Sequence, residues 1–197
     1  MASSNPTFLT ALAATLGEDV VAKIRSSKIL LVGAGGIGTE LLKNMALMGF
    51  RHVEVIDLDT IDQSNLNRQL LFRSQHVGQP KCKVSCEVAM GMISDEDKNA
   101  ADFQPVHYKS YLGNVCDNEK FNVHFVKQFD LCLNALDNVV ARRRVNRLCL
   151  AAGIPLVESG TTGYLGQVTC IDKASGVACY ECTTQETQKV YPICTIR

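Results

Sequence analysis

The sequence predicts an α/β fold: a doubly wound, mostly parallel sheet with helices on both faces. Between residues 28 and 160, apolar runs of strand length alternate with helical patterns, as in parallel sheets joined by helical crossovers. The first apolar run passes directly into a glycine-rich turn. The chain has 197 residues, enough for one well-buried domain and too few for two of ordinary size.

The first part of the chain predicts a helical segment followed by strand, helix and strand. Residues 7–25 carry apolar side chains at helical spacing, and we assign residues 1–26 to this N-terminal helical segment. The run "KILLVGAG" is a buried strand, "GIGTELLKNMALMGF" is a helix with a long apolar face, and "HVEVIDLD" is a strand that ends in acidic residues. The segment "TIDQSNLNRQLLF" predicts a loop with a short helical turn.

The alternation continues after this loop. Pro80 lies near the first turn of the helix "QPKCKVSCEVAMGMI", a position that proline favours. The polar loop "SDEDKNAAD" precedes a strand, "FQPVHYKSY", and a helical stretch, "NEKFNVHFVKQF". The strands "DLCLNAL" and "IPLVES" flank the helix "DNVVARRRVNRLCLAAG", for which Gly153 is the expected C-terminal cap. "GYLGQVTCID" predicts an antiparallel strand that ends the main domain, residues 27–172.

Charge and cysteine content restrict the partners and the compartment. Twenty basic and twenty acidic residues cancel, so there is no electrostatic footprint for nucleic acid or an anionic membrane. The apolar runs are too short to span a membrane, and the N-terminus lacks the basic region of a signal peptide. An odd number of cysteines, nine, does not fit a secreted disulfide framework. We therefore expect no nucleic-acid or membrane partner, and a location in the cytoplasm and nucleus.

The stretch "LVGAGGIGTELL" predicts a nucleotide-binding loop between a strand and a helix. Gly33 allows the tight turn, Gly35 lets a phosphate approach the backbone, and Gly38 lets the helix pack on the strand. The N-terminus of that helix offers free N–H groups to an anion. The alternative is that the glycines serve packing alone. The candidate binding residues of this loop are Gly33, Ala34, Gly35, Gly36, Ile37 and Gly38.

Asp57 strengthens the nucleotide interpretation without deciding which nucleotide binds. It lies 19 residues past Gly38, at the end of the second predicted strand. A carboxylate at this place accepts hydrogen bonds from ribose hydroxyls. Both NAD and ATP carry such a ribose, so the glycine loop and Asp57 fit either one.

The polar residues that follow favour ATP. A triphosphate carries more charge than the pyrophosphate of a dinucleotide, so its binding site needs cations. Arg68 and Lys81 can supply these cations. The alternative is that both are ordinary surface residues. Asp137 follows the strand "DLCLNAL", where a carboxylate can hold Mg²⁺ between phosphates. Alternatively, Asp137 or Asn138 caps the next helix. Both interpretations of Asp137 can hold at once.

These motifs carry a family resemblance. "GAGGIG", "DLDTID", "SNLNRQ", "NALDN" and "ESGTTGYLGQV", in this order, resemble the ThiF-like adenylation domain of the enzymes that activate ubiquitin-like modifiers. The resemblance covers nearly the whole chain from Lys28 to Arg197. "GYLGQV", "CYEC" and "CTIR" are most similar to the branch of the family that activates SUMO.

The resemblance implies a set of site residues. It places the glycine loop under the ATP phosphates, Asp57 on the ribose, and Asp137 at Mg²⁺ and the nucleotide. It implies phosphate contacts from Asn65, Arg68 and Lys81, and adenine contacts from Ser110 and Tyr111. It also implies further nucleotide contacts from Asn138, in the "LDN" segment, and from Arg142.

The implied reaction has two steps. The C-terminal glycine carboxylate of the modifier attacks the α-phosphate of MgATP, and pyrophosphate leaves; Arg68 and Asp137 take part in this adenylation. Cys194, at the centre of the family's catalytic-cysteine motif in "YPICTIR", then forms a thioester that passes to a conjugating enzyme. Judged from the stretch alone, Cys194 is more simply an ordinary buried cysteine.

The C-terminal region, residues 173–197, contains half of a zinc site. Cys179 and Cys182 form a CxxC pair, whereas tetrahedral zinc needs four ligands; in the family a second cysteine pair far downstream completes the site. The resemblance therefore implies that this chain is part of a larger subunit, which pairs with a second adenylation-like subunit. We therefore expect a complete zinc site only in the larger subunit.

Two other functions remain open at this stage. An NAD-dependent oxidoreductase would share the glycine loop and Asp57, although no catalytic His–Asp or Tyr–Lys pair stands out. A non-catalytic scaffold subunit would need none of Arg68, Lys81, Asp137 or Cys194. Within the activating enzymes, ubiquitin and the neddylation modifier are the alternatives to SUMO.

Overall fold

A computed structural model describes residues 8–93, 105–162 and 165–182 of the chain. The described strands form one six-stranded sheet in the order β3-β2-β1-β4-β5-β6. All neighbours pair in parallel except β5 and β6, which are antiparallel. The strands are β1 (Lys28–Val32), β2 (His52–Asp57), β3 (His107–Leu112), β4 (Leu131–Asn134), β5 (Leu156–Thr162) and β6 (Leu165–Ile171). The doubly wound fold with an antiparallel extension is thus confirmed.

Helices connect the parallel strands. They are α1 (Phe8–Leu16), α2 (Glu18–Ser26), α3 (Gly36–Met48), α4 (Lys81–Gly91), α5 (Val123–Val126) and α6 (Val139–Ala152), and two 3₁₀ turns lie at Gln63–Asn65 and Ser74–His76. In the part of the chain that the structure describes, no helix is both long and apolar enough to cross a membrane.

The strand order reverses between β1 and β4, which fixes where a ligand can bind. Val32, the last residue of β1, pairs with Ile56 of β2 on one side and Asn134 of β4 on the other. The chain leaves β1 towards α3 and leaves β4 towards α6. In doubly wound sheets the crevice at such a switch point, beyond the carboxyl ends of the strands, is the usual ligand site.

The core has one half on each face of the sheet, because successive strand residues point to opposite sides. Leu31 faces the half formed with α3 and α4, and Leu30 faces the half formed with α5 and α6. Both leucines are at most 1% exposed, and burying such a side chain contributes about 1.5–3 kcal/mol. The glycine loop therefore begins at the end of a central strand whose last four residues are buried.

Three predicted elements differ from the observed ones. The N-terminal segment is two helices, because Gly17 between them has φ +88°, outside the helical region. The stretch "NEKFNVHFVKQF" contains only the single turn α5, since Asp117 and Asn122 accept hydrogen bonds from backbone N–H groups nearby and form local turns. The strand predicted at "IPLVES" extends to Thr162, because β6 pairs along its full length.

Candidate nucleotide-binding site

Two of the loop glycines are required by packing. Gly33 has φ +102°, and a Cβ there would lie 2.6 Å from the Ala135 carbonyl oxygen. A Cβ on Gly38 would lie 1.9 Å from the Gly33 carbonyl oxygen. Both contacts are with backbone, which cannot move aside cheaply. Packing therefore requires glycine at these two positions, and it brings the glycine loop against the loop that follows β4; nucleotide binding by Gly33 and Gly38 stays a prediction.

The glycines between them are not required by packing. A Cβ on Gly35 would meet no atom within 4 Å, and one on Gly36 would meet only the Arg68 carbonyl oxygen at 3.8 Å. Gly35 is the N-cap of α3 and offers no side-chain cap, so the first N–H groups of the helix lack a side-chain acceptor. Open space in front of an uncapped helix N-terminus fits a phosphate group.

Asp57 is fixed beside the glycine loop. Its carboxylate accepts hydrogen bonds from the Ala34 N–H at 2.6 Å and the Asp59 N–H at 2.8 Å. Burial raises the pKa of Asp57 above its usual value, and the two N–H donors only partly offset this. A carboxylate has about four lone-pair sites, so acceptor capacity remains for ribose hydroxyls.

The segment after β2 lies against the glycine loop and presents Arg68. Asn65 is buried and closes a capping box with Asp62: its side-chain oxygen accepts the Asp62 N–H at 2.9 Å. This box shapes the turn that carries Arg68. The exposed Arg68 guanidinium donates to the Ser64 carbonyl at 2.7 Å and to Asn67 Oδ1 at 3.2 Å. Asn65 thus has an observed structural role, and its phosphate contact stays a prediction.

Lys81 is not an ordinary surface cation. It is the first residue of α4 and only 7% exposed. Its ammonium group donates to Asp59 Oδ2 at 2.7 Å, and its backbone N–H donates to the Asp59 carbonyl at 3.0 Å. Because Asp59 follows Asp57 by two residues, this ion pair holds the ammonium group close to the end of β2.

Asp137 and Asn138 have separate roles. Asn138 is the N-cap of α6, and its Oδ1 accepts the Ala141 N–H at 2.8 Å. Asp137 is exposed, and no described residue donates a hydrogen bond to its carboxylate. The Ala135 N–H donates to the Val32 carbonyl at 2.8 Å, which ties the Asp137 loop to the end of β1. The Asp137 carboxylate is therefore available at the switch point.

Arg142 and Glu158 form a buried ion pair beside this loop, with side chains 13% and 6% exposed. Desolvation lowers the pKa of Arg142. Sequence reasoning singled out Arg142 as a nucleotide contact but missed Glu158 and its neighbour Asn134. A signal was present, because Glu158 is a charged residue in a run that predicts a buried strand.

The residues predicted at adenine lie on β3, at the outer edge of the sheet. The Tyr111 hydroxyl donates to Glu54 Oε2 at 2.6 Å, and its ring packs edge-on against Phe125 at 5.4 Å. Burial and this hydrogen bond raise the pKa of Tyr111. Ser110 is half-buried and pairs with Val55. The structure does not bring the Tyr111 hydroxyl to the glycine loop, and adenine contact stays a prediction.

The CxxC pair lies after β6. The sulfur atoms of Cys179 and Cys182 are 3.4 Å apart. Burial raises the pKa of the Cys179 thiol, but hydrogen bonds from Asn146, Cys182 and the backbone outweigh it and lower the pKa overall. No group of three or more His, Cys, Asp or Glu that could hold a metal occurs among residues 8–93, 105–162 and 165–182. Cys194 lies outside the described residues.

The family follows from a match along nearly the whole chain. The model of the ThiF family matches residues 9–197. The chain belongs to the ThiF family. The ThiF match includes the glycine loop, Asp57, Arg68, Lys81 and Asp137.

Curated relatives of this ThiF chain are named as activating enzymes. SUMO-activating enzyme subunit 2 of Dictyostelium discoideum is 50% identical over 92% of this chain and 26% of its own length. SUMO-activating enzyme subunit uba-2 of Caenorhabditis elegans is 48% identical over 89% of this chain and 28% of its own. The NEDD8-activating enzyme E1 catalytic subunit of Schizosaccharomyces pombe is 39% identical over 91% of this chain and 39% of its own length. The chain thus spans about a quarter of the SUMO-activating relatives.

A solved structure shares the fold. The E. coli protein MccB, crystallised with AMPCPP and a selenomethionine form of MccA, superposes with a TM-score of 0.69 at 25% identity. The superposition covers 84% of this ThiF chain and 45% of MccB. The ThiF fold inferred from the sequence therefore has a known three-dimensional counterpart.

Proposed function

We propose that this chain is the ATP-binding adenylation domain of an enzyme that activates a ubiquitin-like modifier, and that the modifier is SUMO. The observation that carries the proposal is the juxtaposition at the β1–β4 switch point. An uncapped helix N-terminus with open space at Gly35 lies there beside the loop of Asp137, an exposed carboxylate without a described hydrogen-bond donor.

The charges at this site are complementary to those of a triphosphate with a bound metal ion. The helix N–H groups, Arg68 and Lys81 supply positive potential, and a phosphate chain requires such donors. Bound Mg²⁺, for which carboxylate and phosphate oxygens are suitable ligands, would neutralise charge that develops on the leaving pyrophosphate. Asp137 is the residue of this chain that would hold it, and Asp57 would orient the ribose.

Adenylation requires positioning rather than a protein nucleophile. The modifier's terminal carboxylate supplies the attacking oxygen, the bond from this oxygen to the α-phosphorus forms, and the bond to the pyrophosphate oxygen breaks. The chain's contribution is to align these groups and stabilise the charge. Arg68, exposed at the edge of the glycine loop, can swing onto the phosphates by exchanging its contacts with Ser64 and Asn67.

Relatives and fold neighbours support the same function. Two of the curated relatives are named as SUMO-activating enzymes at 48–50% identity, whereas the NEDD8-activating relative is 39% identical. MccB was crystallised with AMPCPP, a methylene analogue of ATP. These relations favour ATP over NAD, and SUMO over the neddylation modifier.

The further parts of the proposal concern the complete protein. Cys194 would accept the activated modifier as a thioester and pass it to a conjugating enzyme, and a second adenylation-like subunit would complete a heterodimer. Cys179 and Cys182 would supply two of the four ligands that tetrahedral zinc needs, and none of the described residues supplies a third or fourth. Reducing conditions in the nucleus and cytoplasm suit a chain with free thiols.

The reaction can be tested in the complete subunit with its partner. Asp137→Ala should abolish SUMO-dependent exchange of pyrophosphate into ATP, since the carboxylate for Mg²⁺ is lost. Cys194→Ala should retain exchange and lose the thioester on a non-reducing gel. Exchange that persists in Asp137→Ala, or that responds to ubiquitin in place of SUMO, would contradict the proposal.

A further inference from the structure

The Arg142–Glu158 pair is largely buried: the side chain of Arg142, on α6, is 13% exposed, and that of Glu158, in the sheet, is 6% exposed. Glu158 lies on β5, while Arg142 projects from the first turn of α6. A buried ion pair is seldom more stable than apolar residues of the same shape. Its presence next to a proposed active site therefore calls for a role other than stability.

Three hydrogen bonds hold the guanidinium of Arg142 on protein groups. It donates to Glu158 Oε1, to the Leu136 carbonyl, and to the Ser159 carbonyl at 2.8 Å. Leu136 directly precedes Asp137, so Arg142 holds the peptide unit that carries the proposed metal ligand. Gly160 makes room for it, because a Cβ there would lie 2.8 Å from Arg142 Nη2.

Glu158 is itself held in place by β4. Its Oε2 accepts a hydrogen bond from Asn134 Nδ2 at 2.5 Å, and the two residues pair in the sheet. Ser159 Oγ donates to the Asn134 carbonyl at 2.7 Å. An unbroken series of contacts thus runs from β4 and β5 through Glu158 and Arg142 to the loop of Asp137.

We propose that Glu158 is a positioning residue for the magnesium–nucleotide site: by fixing the Arg142 guanidinium on the Leu136 carbonyl, it determines where the Asp137 carboxylate lies. This inference rests on the proposed ATP-binding function. Glu158 touches neither nucleotide nor metal, and Arg142 acts through the backbone of the Asp137 loop rather than as a phosphate ligand.

The test compares two variants with a matched control. Glu158→Gln removes the charge with little change in shape, and Gly160→Ala displaces the guanidinium without altering any charge. Glu181→Gln is the control, because Glu181 also pairs with an arginine of α6, Arg147, at 2.6 Å. ATP affinity is measured by calorimetry on the chain with Mg²⁺ and with EDTA, and amide hydrogen exchange is measured without nucleotide.

We expect Glu158→Gln to weaken ATP binding in Mg²⁺ by about tenfold or more, the usual effect of losing a residue that orients a metal ligand. ATP binding in EDTA should change by less than about twofold, because the helix N-terminus is intact. Amide exchange at residues 136–138 should accelerate in both variants while that of β1 does not. A loss of global stability alone would instead lower protection throughout the sheet.

The possible outcomes separate this inference from the proposed function. Equal losses of affinity in Mg²⁺ and EDTA, or unchanged exchange at residues 136–138, would overturn the positioning role while leaving ATP binding intact. If Glu158→Gln does not fold, the same two measurements on Gly160→Ala test the positioning role. A wild-type chain that binds no MgATP would overturn the proposed function, and the role of Glu158 with it.

Discussion

The switch-point region and the CxxC region beyond β5 differ in how the fold holds their functional residues. At the switch point, a short hydrogen bond ties the glycine loop to Asp57 at the end of β2, and the buried Lys81 pairs with Asp59 just beyond that strand. Beyond β5, the residues of β6 are exposed except for the last, Ile171, and the CxxC pair follows with a half-buried and an exposed thiol. The first region is shaped by the core, whereas the second has two thiols that no other described residue completes into a metal site.

This difference predicts how strongly substitutions in each region affect the chain by itself. The proposed nucleotide site lies within the segment from β1 to β5, residues 28–162, a length typical of a domain with its own core. The apolar side chains of β6 include Leu165 and Val168, which are 75% and 67% exposed. We therefore expect variants at the switch point to have large effects in the isolated chain, and variants at the CxxC pair to have small ones.

The largest effect should come from Gly38→Ala. Its Cβ would overlap the Gly33 carbonyl oxygen, which lies 1.9 Å away, so the α3–β1 packing must open at a cost of about 3 kcal/mol, the upper range for overpacking. Urea unfolding measures this loss. Gly35→Ala is the matched control, since its Cβ meets nothing within 4 Å; it should fold normally and bind ATP poorly. Equal stability of the two variants would contradict the assignment of roles within the loop.

The next effect concerns Lys81. Lys81→Met should weaken ATP binding by about 10- to 100-fold, because a charge-assisted hydrogen bond contributes about 1.5–3 kcal/mol. Lys83→Met on the same helix is the control, since Lys83 is exposed and pairs with Glu87 at 3.9 Å. Calorimetry with MgATP measures both. If the two variants bind ATP equally well, Lys81 serves only to pair with Asp59.

A smaller effect is expected from the titration of Asp57. Because burial raises its pKa in the folded chain, the native state binds this proton more tightly than the unfolded state does. The ionised carboxylate therefore costs stability at neutral pH, and this cost disappears as the pH falls through the raised pKa towards 3.8, the usual pKa of an aspartate. A carboxyl-carbon NMR titration should give a midpoint above 3.8. A midpoint below that value would mean that the Ala34 and Asp59 N–H groups dominate.

The smallest effect should occur at the CxxC pair. Substituting Cys182 by serine should change the free energy of unfolding by less than about 0.5 kcal/mol, as is usual for exposed positions. A chelator should leave the melting temperature of the chain unchanged, since structural zinc couples strongly to folding where it binds. A drop of several degrees in EDTA would show that this chain completes a zinc site by itself.

Local sequence patterns were sufficient for much of the fold and the site. The strand–glycine–helix order predicted β1 and α3, and the spacing from Gly38 predicted Asp57 at the loop. The pattern could not show that Asn65 and Lys81 are buried, because their surroundings come from the Asp62 turn and from Asp59.

Other features depend on contacts distant in the sequence. Glu158 was missed because its partners, Arg142 and Asn134, are 16 and 24 residues away. The side-chain contacts of Tyr111 depend on Glu54 of a neighbouring strand, 57 residues earlier. Short polar side chains also misled the helix assignment, as at Asn122, since they cap local turns as readily as helices.

The most direct test of the central claim is calorimetry of the purified chain with MgATP and with NAD, using Asp137→Ala as the comparison. We predict magnesium-dependent binding of ATP that is lost in Asp137→Ala, and no binding of NAD. Binding of NAD without ATP would contradict the account, because the glycine loop and Asp57 would then serve a dinucleotide, and Asp137 would have no ligand to hold.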